Sequence, residues 1–222
     1  KPIPGSARSR HCRVRSKMAG ASPIRAQPGQ NTASPRETRI MGYVYQHAGP
    51  DALWTTMASV TPHYWQHMID VTLNGTFKDA VLEQIGGLET HGEPLEIMED
   101  DEKVVVWMRP CGSGQFLVEQ GVYEAPQSCA RCKACPQTWN LDNFPVYCVH
   151  APQQEILSIK QVGWPIMVNN PLPEERNVPG YEFARQSCGF AVYKDPNDIP
   201  EFVYTTLGFE KPAHVDKPKL WD

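Results

Sequence analysis

Six of the seven cysteines of this chain follow residue 110, and four of them with one histidine fall within 22 residues, as Cys129-x2-Cys132-x2-Cys135 and then Cys148-x-His150. A C-x2-C turn points two thiolates to one side. Cys132, Cys135, Cys148 and His150 together supply four soft or borderline donors, a set that suits tetrahedral zinc. An iron–sulfur cluster is the rival cofactor. Cys129-x2-Cys132-x2-Cys135 followed by Pro136 has the opening of a ferredoxin-type run without its fourth cysteine, which Cys111, Cys148 or Cys188 would have to supply from a distance. Disulfides suit a small secreted framework better than a chain of this size with an odd cysteine count.

A second constellation is Arg109-Pro110-Cys111-Gly112-Ser113-Gly114. Gly112 and Gly114 permit positive φ and expose backbone N–H groups, which would make a nest for an anion or a developing oxyanion. Ser113 adds a hydroxyl, Arg109 a fixed positive charge, and Cys111 a nucleophile or a further metal ligand. No Gly-Lys-Ser/Thr follows, so this is no P-loop. Glu155, five residues after His150, is a candidate general base toward a metal-bound water. His63 and His67 share a helix face but lack the glutamate of a zincin motif and read as ordinary surface histidines. Trp107, Trp139, Tyr147 and Trp164 read as core aromatics around these elements.

The elements that must position these groups follow from periodicity. A short helix is expected near residues 51–59. Thr61 and Pro62 would open the next helix, ended at Asn74-Gly75, and the Thr76/Asp79 capping box would open another with Phe77, Ala80, Val81, Gln84, Ile85 and Leu88 on one side. Leu95–Met98 and Lys103–Arg109 read as a β-hairpin whose second strand is apolar on both faces. A second hairpin is expected from residues 155–159 through Gly163-Trp164-Pro165 to residues 166–168, then a strand at Cys188–Tyr193, and a closing helix capped by Asp198 and Glu201 and ended by Gly208. The expected class is α+β, with N-terminal helices packed on an antiparallel sheet of two hairpins plus a strand, and a Cys/His-rich metal-binding loop over residues 110–150.

The order of helices, hairpin, Pro110-Cys111, Pro145-Val146-Tyr147-Cys148 and Ser187-Cys188-Gly189-Phe190-Ala191-Val192 resembles the layout of the 4-vinyl-reductase-type domain, a small-molecule-binding α/β fold with cysteine metal sites. The resemblance covers about residues 60–195. It implies a binding pocket more than any particular reaction.

Composition sets the outer bounds. The chain has 222 residues, 21 prolines and a formal charge of −4, a size suited to one large domain. Charge is split: residues 1–40 carry +8 and residues 41–222 carry −12. The first segment is rich in Arg, Ser, Pro and Gly and poor in large apolar residues, so residues 1–40 read as a disordered basic tail and 41–222 as a single domain. The acidic body argues against a nucleic-acid partner. No stretch reaches the ~20 apolar residues of a membrane span, and no apolar run follows the basic start, so a cytoplasmic protein is expected, or an organellar one if that start is a transit peptide. A homo-oligomer is compatible with all of this. Three functions stay open: a zinc-dependent hydrolase or lyase for a small, anionic organic substrate; a non-catalytic zinc-stabilised binding or sensing domain; and an iron–sulfur accessory subunit in electron transfer.

Overall fold

In the computed structural model, residues 35–91, 93–108, 111–170 and 188–221 are described. Residues 1–34, and with them most of the expected tail, lie outside them. The boundary expected at residue 40 falls inside the first helix, α1 (Pro35–Ala48), in which Thr38 is fully buried.

Gly49, with φ of 89°, turns the chain, and Pro50 at the first position opens α2 (Pro50–Asn74). Two helices were expected here, with Thr61 as a cap; the structure has one that runs through Pro62. Thr61 caps nothing, because its hydroxyl donates back to the Met57 carbonyl at 2.6 Å. The helix survives the missing Pro62 N–H because Leu53, Met57, Thr61, Trp65, Ile69 and Thr72 form one buried stripe on both sides of the proline. α3 (Phe77–Glu89) starts at the expected capping box: the Asp79 N–H donates to Thr76 Oγ1 at 3.2 Å, and the Thr76 N–H to Asp79 Oδ2 at 2.9 Å.

β1 (Leu95–Glu99) and β2 (Lys103–Met108) form the expected antiparallel hairpin, its turn held by Asp100 Oδ1, which accepts from the N–H groups of Glu102 and Lys103. The chain then passes α4 (Gly114–Glu119), the short pair β3 (Arg131–Cys132) and β4 (Phe144–Pro145), α5 (His150–Val162), β5 (Val168–Asn169), β6 (Cys188–Tyr193) and α6 (Glu201–Thr205). The main sheet is antiparallel in the order β1-β2-β6-β5. Strand β2 is buried on both faces. Val104, Val106 and Met108 pack toward α3, while Val105 and Trp107 join the larger core formed with α2 and α5. The class is thus α+β, helices on an antiparallel four-stranded sheet.

The second hairpin is replaced by a helix and a strand. Residues 155–159, apolar and β-rich when read alone, lie in α5, where Pro152, Glu155, Ile156 and Ile159 bury one helical face; Gly163, with φ of 86°, then ends the helix. β5 pairs with β6, in the register Val168 to Ala191. The capping box at Asp198 and Glu201 does not form: Asp195 instead accepts from the Asn197 N–H at 2.8 Å to hold a 3-10 turn, and Pro200 precedes α6. Gly208 does turn the chain after α6, with φ of 79°.

The stretch 110–150, expected to be an irregular loop held by metal, is fastened by packing and hydrogen bonds. Trp139, Phe144, Val146 and Val149 are buried. The Trp139 indole donates to Glu155 Oε2 at 2.8 Å, and the Cys129 thiol donates to the Thr38 carbonyl at 3.1 Å.

Candidate functional site

Between α2, α3, the start of α5 and the ends of β2 and β6 lies a cavity of about 240 Å³. Its wall is mostly apolar, including Trp65, Met68, Leu88, Met108, Met167 and Phe190. Polar groups converge on it from sequence-distant segments: Cys111 and Ser113 after β2, Cys148 in the 3-10 turn before α5 and His150 at the start of α5, Cys188 at the start of β6, and Gln84 and His91 from α3 and just beyond it.

Cys111 is held by donors on several sides. Its sulfur accepts from the Gly114 N–H at 3.3 Å, and the backbone N–H groups of Ser113 and Gln115 also point at it. The Ser113 hydroxyl lies 3.7 Å away. The largest influence is a hydrogen bond with the Cys188 thiol; these donors outweigh the cost of burial and bring the Cys111 pKa down to about 5. The nest expected for a substrate anion is therefore turned on Cys111's own sulfur. Neither Gly112 nor Gly114 needs positive φ. Gly112 is required by closeness, since a Cβ there would overlap the Glu93 side chain and approach the His91 carbonyl to 3.0 Å, and Gly114 begins α4. Arg109 and Pro110 lie outside the described residues.

His150 faces the same cavity. Its Nδ1 is 2.7 Å from the Tyr147 carbonyl, which makes Nδ1 the protonated nitrogen and Nε2 the acceptor. Burial lowers its pKa, so the ring is neutral at physiological pH. Tyr147 also hydrogen-bonds Ser113 through its hydroxyl and packs its ring edgewise on His150 at 5.0 Å. One residue thereby fixes both arms of the site. His91 is neutral as well, brought down to about 4 mainly by burial and secondarily by His150. Among the described residues, His91 Nδ1 and Gln84 Nε2 are buried polar atoms with no hydrogen-bond partner, and both residues line the cavity.

The four expected zinc ligands separate into two environments. Cys148 and His150 line the cavity, while Cys132 is buried in β3 and Cys135 is half-buried beside Thr138. Burial pushes the thiols of Cys132, to about 12, and of Cys148 upward. Among the described residues no group of three or more His, Cys, Asp or Glu side chains is arranged to hold a metal ion, so the metal-binding loop has no support in the fold.

Glu155 lies inside the core rather than beside a water. Its Oε1 accepts from the Asn169 N–H at 2.6 Å and its Oε2 from Trp139, with the side chain fully buried. His63 and His67 are exposed on α2, the latter 3.3 Å from Glu83 Oε1. Sequence reasoning passed over Gln84 and His91 as site residues. Gln84 sits at a helical core position and His91 beyond the helix end, and only the α3–β2 packing brings them to the cavity. No helix among the described residues is long and apolar enough to cross a membrane. Comparison of the chain with protein-family models, curated proteins and solved structures finds no match.

Proposed function

We propose that this chain is a hydrolase for a small, largely apolar organic molecule, with Cys111 as covalent nucleophile and His150 as general base. The observation that carries the reading is the Cys111 sulfur, ringed by the N–H groups of Ser113, Gly114 and Gln115 in a cavity wall shared with His150.

A thiolate already formed at neutral pH needs no base to deprotonate it. It adds to an electrophilic carbonyl or imine carbon; the bond to the leaving group breaks, that group takes a proton from solvent, and a thioester or thioimidate remains on Cys111. Neutral His150, anchored through Nδ1, takes a proton from water at Nε2, and the resulting hydroxide releases the product and restores the thiolate. Gln84 Nε2 supplies an N–H for the substrate's polar end, and His91 Nδ1 an acceptor. A cavity of about 240 Å³ falls below the roughly 300–1,000 Å³ of drug-sized sites, so the substrate is small. Because His91 and His150 are both uncharged, a neutral substrate suits this wall better than the anion expected from Arg109.

The test is a burst experiment with the neutral ester p-nitrophenyl acetate. The expected result is release of about one equivalent of p-nitrophenolate per chain before steady turnover, with the acetyl group mapped to Cys111 by mass spectrometry. Cys111→Ala should abolish the burst, and His150→Gln should preserve it while slowing turnover by about 100-fold or more. Acetylation mapped elsewhere, or an unchanged burst in Cys111→Ala, would overturn the assignment.

A further inference from the structure

The Cys111–Cys188 contact is more than the nucleophile requires. Three backbone N–H groups and a hydroxyl already surround the Cys111 sulfur, yet a second thiol is placed against it. The placement is built by the sheet. Cys188 is the first residue of β6 and stands in register opposite Met108 of β2; Cys111 follows three residues beyond Met108, so the antiparallel pairing carries both thiols to the same end of the sheet. Neither is in a disulfide, both line the cavity, and they pack in one cluster with Leu88 and Met108.

The other described cysteines are poorly placed for this contact. Cys129 is engaged with the Thr38 carbonyl, Cys132 is buried in β3, and Cys135 stands beside Thr138. Cys148 reaches the cavity but is held as a neutral, fully buried thiol. Cys188 is only partly buried and packs in the same cluster as Cys111 on the cavity wall, the arrangement of a nucleophilic thiol with a resolving thiol.

We propose that Cys111 and Cys188 are a site of reversible oxidation by small hydroperoxides, closing to a disulfide. The Cys111 thiolate attacks the terminal peroxide oxygen; the O–O bond breaks, an S–O bond forms, and the leaving oxygen takes the Cys188 proton to depart as alcohol or water. The Cys188 thiolate then attacks the Cys111 sulfenic sulfur, forming the S–S bond and expelling hydroxide, which is protonated by solvent. The two sulfurs lose two electrons in all, and the peroxide is reduced to an alcohol or water plus one water. An external thiol reverses the disulfide by exchange. The cavity that admits a small organic molecule admits hydrogen peroxide, and oxidation removes the thiolate from the site.

This inference concerns thiol oxidation and does not depend on the hydrolase reading, so its test measures no turnover. The reduced full chain is treated with one equivalent of hydrogen peroxide, and its thiols are counted and mapped by non-reducing peptide mass spectrometry. The expected result is a fall from seven free thiols to five, with the Cys111 and Cys188 peptides joined and dithiothreitol restoring all seven. In Cys188→Ser the disulfide should be lost, and a sulfenic acid on Cys111 should be trapped by dimedone. The wild-type map alone decides the matter if that variant folds poorly. Oxidation at other cysteines with Cys111 and Cys188 still reduced would overturn the proposal, as would Cys111 passing to sulfinic acid in the wild type without a linked Cys188.

Discussion

Tyr147 and His150 are joined twice, by the 2.7 Å contact from His150 Nδ1 to the Tyr147 carbonyl and by an edgewise packing of their rings. The backbone contact sets the imidazole tautomer. The Tyr147 hydroxyl, at the far end of the same side chain, reaches Ser113 and through it the Cys111 sulfur. Cys111 and His150 are thus both referred to one residue, itself partly buried.

The pH dependence of Cys111 follows from its donors. With the pKa near 5 in the folded chain, alkylation by iodoacetamide should be half-maximal near pH 5 and level by about pH 7, whereas an ordinary thiol keeps gaining reactivity through pH 9. The folded pKa lies below the unfolded one, so the associated stability is complete above about pH 9 and is lost as pH falls toward 5. Removing the hydroxyl in Tyr147→Phe should move the alkylation midpoint up by roughly one unit or less while His150 keeps its carbonyl partner. Rates measured with Cys111 identified by peptide mapping check both statements; a midpoint above pH 8 in the native chain would contradict them.

Glu155→Ala should destabilise the fold by about 3–5 kcal/mol in chemical denaturation, because it strands the buried donors of Trp139 and Asn169 in the core. Glu155→Gln keeps an oxygen for one of them and should lie between. An alanine variant of undiminished stability but reduced turnover would restore Glu155 to the chemistry.

Cys135→Ala distinguishes packing from metal as the fastening of residues 110–150. Held by packing, the fold should lose only about 1 kcal/mol, the worth of the half-buried thiol and its bond to the Thr138 N–H. Loss of a structural zinc ligand would forfeit a large part of a binding energy of roughly 10 kcal/mol and unfold the region. Urea denaturation, with the zinc content of wild type and variant measured beside it, separates the two.

Two glycines should respond in opposite directions. Gly189 lies opposite Trp107 in the β2–β6 register, and a Cβ there would run into the indole; Gly189→Ala should cost about 2–3 kcal/mol and lower Tm. Gly86 is exposed within α3 with nothing near its Cβ position, and Gly86→Ala should add about 0.5–1 kcal/mol.

The legible parts of the fold were those in which local pattern and tertiary surroundings agree. The Thr76/Asp79 capping box, the apolar run Lys103–Met108 with its turn, and the strand Cys188–Tyr193 each carry their own instructions, in a side chain that reaches its own backbone or in an alternation that matches a sheet face. Residues 155–159 carried none that decided between strand and helix. Five apolar and polar residues fit either period, and the burial of Pro152, Glu155, Ile156 and Ile159 on one side of α5 selected the helix. Pro62 misled for the same reason, since a packed stripe on both sides of it outweighs one lost hydrogen bond.

The sequence by itself determined the chemical inventory: a cysteine-rich acidic body, a Cys111-Gly-Ser-Gly turn whose N–H groups can hold a negative charge, and a histidine at residue 150. Tertiary structure decided how that inventory is divided. Spacing along the chain grouped Cys132, Cys135, Cys148 and His150, because a short interval looks like proximity. The antiparallel register of β2 with β6 and the packing of α3 and α5 instead joined Cys111 to Cys188 and set Gln84, His91 and His150 around one cavity. The residues named around that cavity span 104 positions, from Gln84 to Cys188, and its donors and its burial together set the charge of Cys111 and of the two histidines, a quantity fixed by three-dimensional surroundings alone.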